Sequence, residues 1–141
     1  MTRYPEESDI TFLLADDVRV EADPSKFTLI GLLPTLMIKV PLQNGGDQQP
    51  SMFPSLSVML VMNRVLGDFD IRVDFVDPDG QSIIPEENSR RHANATEDNQ
   101  TLAFVFNFRP FTVKLGEFSL TVHLNNRNYV RTFSIVSGAA S

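Results

Sequence analysis

Phe118, Leu120, Val122 and Leu124 stand two residues apart, with Ser119, Thr121 and His123 filling the gaps between them. An extended chain sends successive side chains to opposite faces, so this spacing gives one strand an apolar face and a polar face. An Asn-rich stretch, Asn125-Asn126-Arg127-Asn128, supplies turn chemistry, and a second run follows, so 117–136 reads as a β-hairpin. In the return strand Tyr129, Arg131, Phe133 and Ile135 share one face, which sets an arginine beside the core pair Phe133 and Ile135. The spacing predicts either a bulge at Arg131 or a guanidinium extended past the rim of the core.

The same period recurs along the chain. Residues 10–21 read as one long, bent strand, with Val18 and Val20 on one face and Asp17, Arg19 and Glu21 on the other. Ala22-Asp23-Pro24-Ser25 is a turn, and 26–33 returns to complete a first hairpin. Residues 34–41 suit an edge strand, because the flanking Pro34 and Pro41 cannot donate to a sheet ladder. Residues 43–50 read as a loop. The run 56–62 is apolar on both faces and should be covered on both sides.

In 70–76, Ile71, Val73 and Phe75 alternate with Asp70, Arg72 and Asp74. The following Asp77-Pro78-Asp79-Gly80 matches a type I turn, with 81–84 as its return strand. Residues 85–100 carry almost nothing apolar and are expected as the longest loop. Leu102, Phe104, Phe106 and Phe108 then line one face of a strand at the centre of the core.

About eight or nine strands with no helical period predict an all-β fold, a two-sheet antiparallel β-sandwich of immunoglobulin-like or related topology. A closed barrel is the alternative, since the same alternation lines one. At 141 residues, 42% of them hydrophobic and eleven of them Phe, the chain has enough apolar surface for one core. The expected layout is a flexible N-terminal tail over 1–9, one domain over 10–137 and a flexible C-terminal tail over 138–141.

The formal charge of −6, with three Lys and nine scattered Arg, disfavours nucleic-acid binding, which draws on clustered cations. The absence of cysteine removes disulfides, thiolate metal sites and a cysteine nucleophile. No stretch approaches the ~20 apolar residues of a membrane helix. Residues 1–9 contain no apolar run of the kind a secretory signal needs, and the expected location is cytoplasmic.

Leu14-Ala15-Asp16-Asp17-Val18-Arg19-Val20, followed by Lys26-Phe27-Thr28-Leu29-Ile30-Gly31, resembles a family of small, uncharacterised bacterial proteins that open with a Leu-Ala-Asp hairpin. Val76-Asp77-Pro78-Asp79-Gly80 and Leu115-Gly116-Glu117-Phe118 are similar to the middle and end of that family. The resemblance implies a β-sandwich and brings no catalytic residues. Ser25 departs from it, standing where the family has a Gly before the Lys, and 44–52 is extra loop length.

Asp16, Asp17, Asp77 and Asp79 are the natural calcium candidates, because carboxylates on sandwich loops supply hard oxygen ligands. Asp is equally a turn former, and Phe75 stands where an EF-hand loop would place its first ligand. Adjacent Asp16 and Asp17 point to opposite faces, so at most one looks inward; if Asp16 does, hydrogen bonding to backbone amides is its expected role. His92, in the polar loop, and His123, on the outward face of the hairpin, lie in no ligand-spaced cluster. No nucleophile elbow is present, and Gly45-Gly46 lacks the Lys-Ser or Lys-Thr of a phosphate loop. Arg90-Arg91-His92 is flanked by Glu86, Glu87, Glu97 and Asp98, which cancel most of its field.

Asn94-Ala95-Thr96 and Asn99-Gln100-Thr101 match a glycosylation pattern that matters only in a secreted eukaryotic chain. Phe108 and Phe111, near a strand end, suggest a sugar platform, although such platforms favour Trp or Tyr and only Tyr4 and Tyr129 are present. The expected function is a non-catalytic binding or structural module acting through protein contacts or self-association, without a cofactor. Met59 and Val61, on the second apolar face of 56–62, are the interface candidates. The alternatives are a metal-dependent enzyme or calcium module at Asp16, Asp77 and Asp79, and a phage or virion component.

Overall fold

The computed structural model describes residues 1–23, 26–41 and 52–138. The Pro24-Ser25 half of the first turn, the 43–50 loop with Gly45-Gly46, and 139–141 lie outside the described residues.

The first sheet joins β1 (Ile10–Val20), β2 (Phe27–Leu33), β5 (Leu56–Met62) and β8 (Leu102–Phe108) in the order β2-β1-β5-β8. The second joins β3 (Met37–Pro41), β6 (Gly67–Val76), β7 (Arg90–Ala95), β10 (Gly116–Leu124) and β11 (Arg127–Gly138) in the order β3-β11-β10-β6-β7. A two-stranded piece pairs β4 (Met52–Phe53) with β9 (Phe111–Thr112). Both large sheets have open edges, so the fold is a sandwich and not a barrel. Its order, β1-β5-β8 against β11-β10-β6-β7, is immunoglobulin-like. One pair departs from the expected antiparallel pattern: β3 runs parallel to β11. The chain passes from β2 in one sheet to β3 in the other, and so reaches β11 from the opposite direction.

The core forms where inward faces meet. Phe118, Leu120, Val122 and Leu124 are buried, as are Phe69, Ile71, Val73 and Phe75 of β6. From the first sheet come Leu56, Val58, Leu60 and Met62, with Phe104 and Phe106 of β8. The run 56–62 is covered on both sides as expected: Met59 belongs to a second, smaller cluster with Ala15 and Val18, bordered by Leu13, Phe27, Leu29, Val61 and Val105.

The bend in β1 has an identifiable site. Leu13 and Ala15 share the outer cluster, but Val18, not residue 17, continues it. The alternation switches at Asp16, opposite Gly31, whose φ of +66° lies in the left-handed region. A Cβ added at Gly31 would collide with the Asp16 carboxylate, so glycine is needed for both conformation and space. Val20, expected beside Val18, is exposed.

Two further expectations change. Residues 81–84 form no strand; they touch β6 through a single bridge, Val76 to Ser82, and one hydrogen bond from Ile83 N to Phe75 O, before Pro85 and a short 3-10 turn, Glu86–Asn88. The expected loop over 85–100 contains β7 instead, an edge strand paired with β6 from Gly67↔Ala95 to Arg72↔Arg90. Its apolar poverty has a physical cause: an edge strand needs little apolar surface, and here Ala93 and Ala95 pack on the core.

Residues 1–9, expected as a tail, are docked. Arg3 exchanges backbone hydrogen bonds with Leu66, at 2.7 and 3.0 Å, and Tyr129 donates its hydroxyl to Pro5 O at 3.0 Å. Burial pushes the Tyr129 hydroxyl above its ordinary pKa. The β10–β11 register runs unbroken from Gly116↔Ile135 to Leu124↔Arg127, so Arg131 sits on no bulge. Its guanidinium reaches the rim and donates to Glu7 at 2.6 Å, which gives the inward arginine its counter-charge.

Gly31→Ala should destabilise the fold by more than ~1 kcal/mol in urea titration, since both backbone and space oppose a side chain. Asp16→Ala in that background should restore part of the loss, whereas Phe133→Ala should cost about 3–5 kcal/mol as a core deletion.

Candidate functional site

The outward face of the second sheet gathers the chemistry that the sequence scatters. Asp68, Asp70, Arg72 and Asp74 project outward from β6, between Arg90 and His92 of β7 and Thr121 and His123 of β10. The two histidines therefore line one groove of about 620 Å³ with Asp70, Arg72 and Arg90. His92, expected in a loop, is held on β7, with Nδ1 3.1 Å from Asp70 and Nε2 3.7 Å from Asp68. His123 faces Asn128 through Nδ1, while its Nε2 lies 3.1 Å from Arg72 Nη2 and 2.9 Å from Asp74 Oδ2. A neutral ring with its proton on Nδ1 accepts from Arg72; a charged ring donates to Asp74. Arg91 also borders the groove but holds its guanidinium 4.8 Å over the Phe104 ring, and burial lowers its pKa.

The aspartates fall into two groups, Asp77 and Asp79 around Lys114 and Asp17 beside two arginines. Asp77 Oδ1 accepts from the backbone N–H of Asp79 and Gln81, both at 2.9 Å, and Oδ2 accepts from Lys114 Nζ at 2.7 Å. Lys114 also reaches Asp79 at 3.1 Å. The ammonium thus fills the place between Asp77 and Asp79 that a cation would need, and Gly80 N donates to Asp77 O to close the expected turn over 77–80. Lys114 first, then the Gln81 amide, holds the Asp77 carboxyl below its ordinary pKa, and Asp77 in turn raises that of Lys114. Asp16 does not join them: it is exposed and lies against Gly31. Its neighbour Asp17 is the partnered carboxylate, paired with Arg19 and Arg109, with Arg19 the larger cause of its lowered pKa. Among the described residues no three His, Asp or Glu side chains gather as a metal ion would require.

Other sequence candidates resolve as packing. Met59 is 5% exposed and sits in the smaller cluster, so of the two interface candidates only Val61 keeps appreciable surface. Phe111 is buried against Phe53, Phe108, Phe118 and Phe133, and offers no ring to a sugar. Asn94 is on β7, and Thr96 and Asn99 exchange backbone hydrogen bonds across a two-residue turn.

Sequence reasoning missed the edge of the first sheet. Among the described residues β2 is hydrogen-bonded to β1 alone; its seven residues carry no charge, and Ile30 and Leu32 are 41% and 54% exposed. The remaining edges are guarded: β3 has Lys39 and ends at Pro41, β7 has Arg90 and Arg91, and Arg91 covers Phe104 of β8. The signal lay in 27–33, an uncharged run whose exposure depends on which sheet position it takes.

The lowered Asp77 pKa makes part of the fold's stability sensitive to acid. The ionised carboxylate is better stabilised folded than unfolded, so its contribution is present above the ordinary value of 3.8 and is lost as pH falls below it. Thermal melts from about pH 5 down to about pH 2 should therefore show a shallower acid loss for Asp77→Asn than for the parent chain, from a lower starting stability.

Among the described residues no helix is long and apolar enough to cross a membrane. No curated protein matches the chain. The model of a family of unknown function (DUF6941) matches residues 10–135, a span that runs from the first residue of β1 into β11 and takes in the hairpins, the Asp77 turn and the groove. The chain belongs to that family.

Proposed function

We propose that this domain is a non-catalytic binding module that works through protein contacts, with β2 as its contact strand and a second copy of the chain as its partner. The observation that carries this reading is the β2 edge, which no other strand covers among the described residues. An uncharged, seven-residue edge strand with exposed Ile30 and Leu32 offers free backbone donors and acceptors together with apolar anchors. A soluble monomer would ordinarily blunt such an edge with Lys, Pro or a covering loop. Two copies related by a two-fold axis can pair β2 with β2 antiparallel and cover both sets of side chains at once. Support for a contact role over chemistry comes from the ionisable groups: Asp17, Asp77, His92 and His123 each hold charged or amide partners within the chain. The setting we infer is a bacterial cytoplasm, in keeping with the cysteine-free composition.

Light scattering coupled to size exclusion should find a dimer of the parent chain, and Ile30→Lys with Leu32→Lys should return it to a monomer with an unchanged circular dichroism spectrum. A parent chain that stays monomeric at roughly 100 μM would remove self-association through β2.

A further inference from the structure

The outward face of the second sheet carries a row of polar groups, and Arg90, Arg72 and His123 of that row line the groove. Arg90, Arg72, His123 and Asn128 are directly opposed across β7, β6, β10 and β11. Arg72 and Arg90 are thus cross-strand neighbours of like charge, a pairing that destabilises a sheet. Arg90 has no carboxylate partner among the described residues. Arg72 lies 3.6 Å from Asp74 and 3.1 Å from His123 Nε2, so its carboxylate contact is the longer of the two. Placing two arginines directly opposite one another on neighbouring strands, over an open groove of about 620 Å³, carries an electrostatic cost that an anion in the groove would relieve.

We propose that this groove binds a compact phosphate-class oxyanion, gripped by Arg72 and Arg90 and flanked by His92 and His123. Directly opposed residues stand about 4.5–5.5 Å apart, so two guanidinium forks can close on one tetrahedral anion. The neighbouring acids set its size. Asp70 and Asp74 lie two residues to either side of Arg72 on β6, where His92 and His123 engage them. They leave room for one anionic group over the arginine pair and repel a longer polyanion such as a nucleic-acid backbone. The recognised chemistry is a single phosphate, free in solution or terminal on a small organic molecule.

Calorimetric titration of the full chain with inorganic phosphate, and separately with phenyl phosphate, at constant ionic strength tests this. Saturable binding of either is the expected result; similar affinities identify free phosphate as sufficient, and binding of the ester alone identifies a phosphorylated small molecule. Arg72→Gln with Arg90→Gln should weaken binding by at least about tenfold, while Arg19→Gln, on the other sheet, should leave it unchanged. In the parent chain the imidazole NMR signals of His92 and His123 should shift with phosphate and not with matched chloride, a readout independent of any variant. Absence of saturable binding of both anions up to roughly 10 mM, or equal binding by the double variant, overturns the proposal.

Discussion

The contact on which the rest of the molecule depends is the set of phenylalanine rings between the sheets. Phe75 of β6 meets Phe106 and Phe108 of β8 edge-on, each at 5.7 Å, and Phe133 of β11 at 6.2 Å. Phe118 and Phe133 stack at 4.9 Å, and Phe111 joins them to the small β4–β9 piece through Phe53. Such pairs add about 0.5–1.5 kcal/mol each beyond the area they bury, and their geometry fixes how the sheets lie on one another. With no tryptophan and no cysteine in the chain, these rings do the work that a disulfide and an indole perform in antibody domains.

A core filled in this way leaves the outer surfaces free to differ. The second sheet turns a charged face to water, where β6 interleaves acids with one arginine and its neighbours answer with histidines and a further arginine. The first sheet turns out a smaller apolar cluster around Met59 and ends in an uncharged edge. Its far edge meets the second sheet where Arg91 lies over Phe104, closing that side of the sandwich. The opposite side, at β2, has no such closure among the described residues.

Strands with strong alternation were legible because their burial is written locally. Residues 118–124 and 70–76 fold as their spacing requires. β7 escaped notice since an edge strand packs through Ala93 and Ala95 and needs no large side chains. Residues 81–84 read as a strand but contribute one bridge, because Pro85 follows at once and the chain leaves the ladder. Asp16 and Asp17 are equivalent in local pattern; Arg109, ninety-two residues away, makes Asp17 the partnered one. The docked N-terminus was equally hidden, since Arg3 and Glu7 find their partners at Leu66 and Arg131 only after the sheets form.

The sequence by itself determined the all-β character, the Asp77 turn and the identity of most residues buried between the sheets. These follow from the two-residue period and from turn chemistry, both of which act between neighbours along the chain. Only the tertiary structure decided that His92 and His123 share a groove, that Lys114 sits between Asp77 and Asp79, and that β2 is left at an edge. Each depends on strand order and register, and those are set by the packing of rings distant in sequence, which no local pattern encodes.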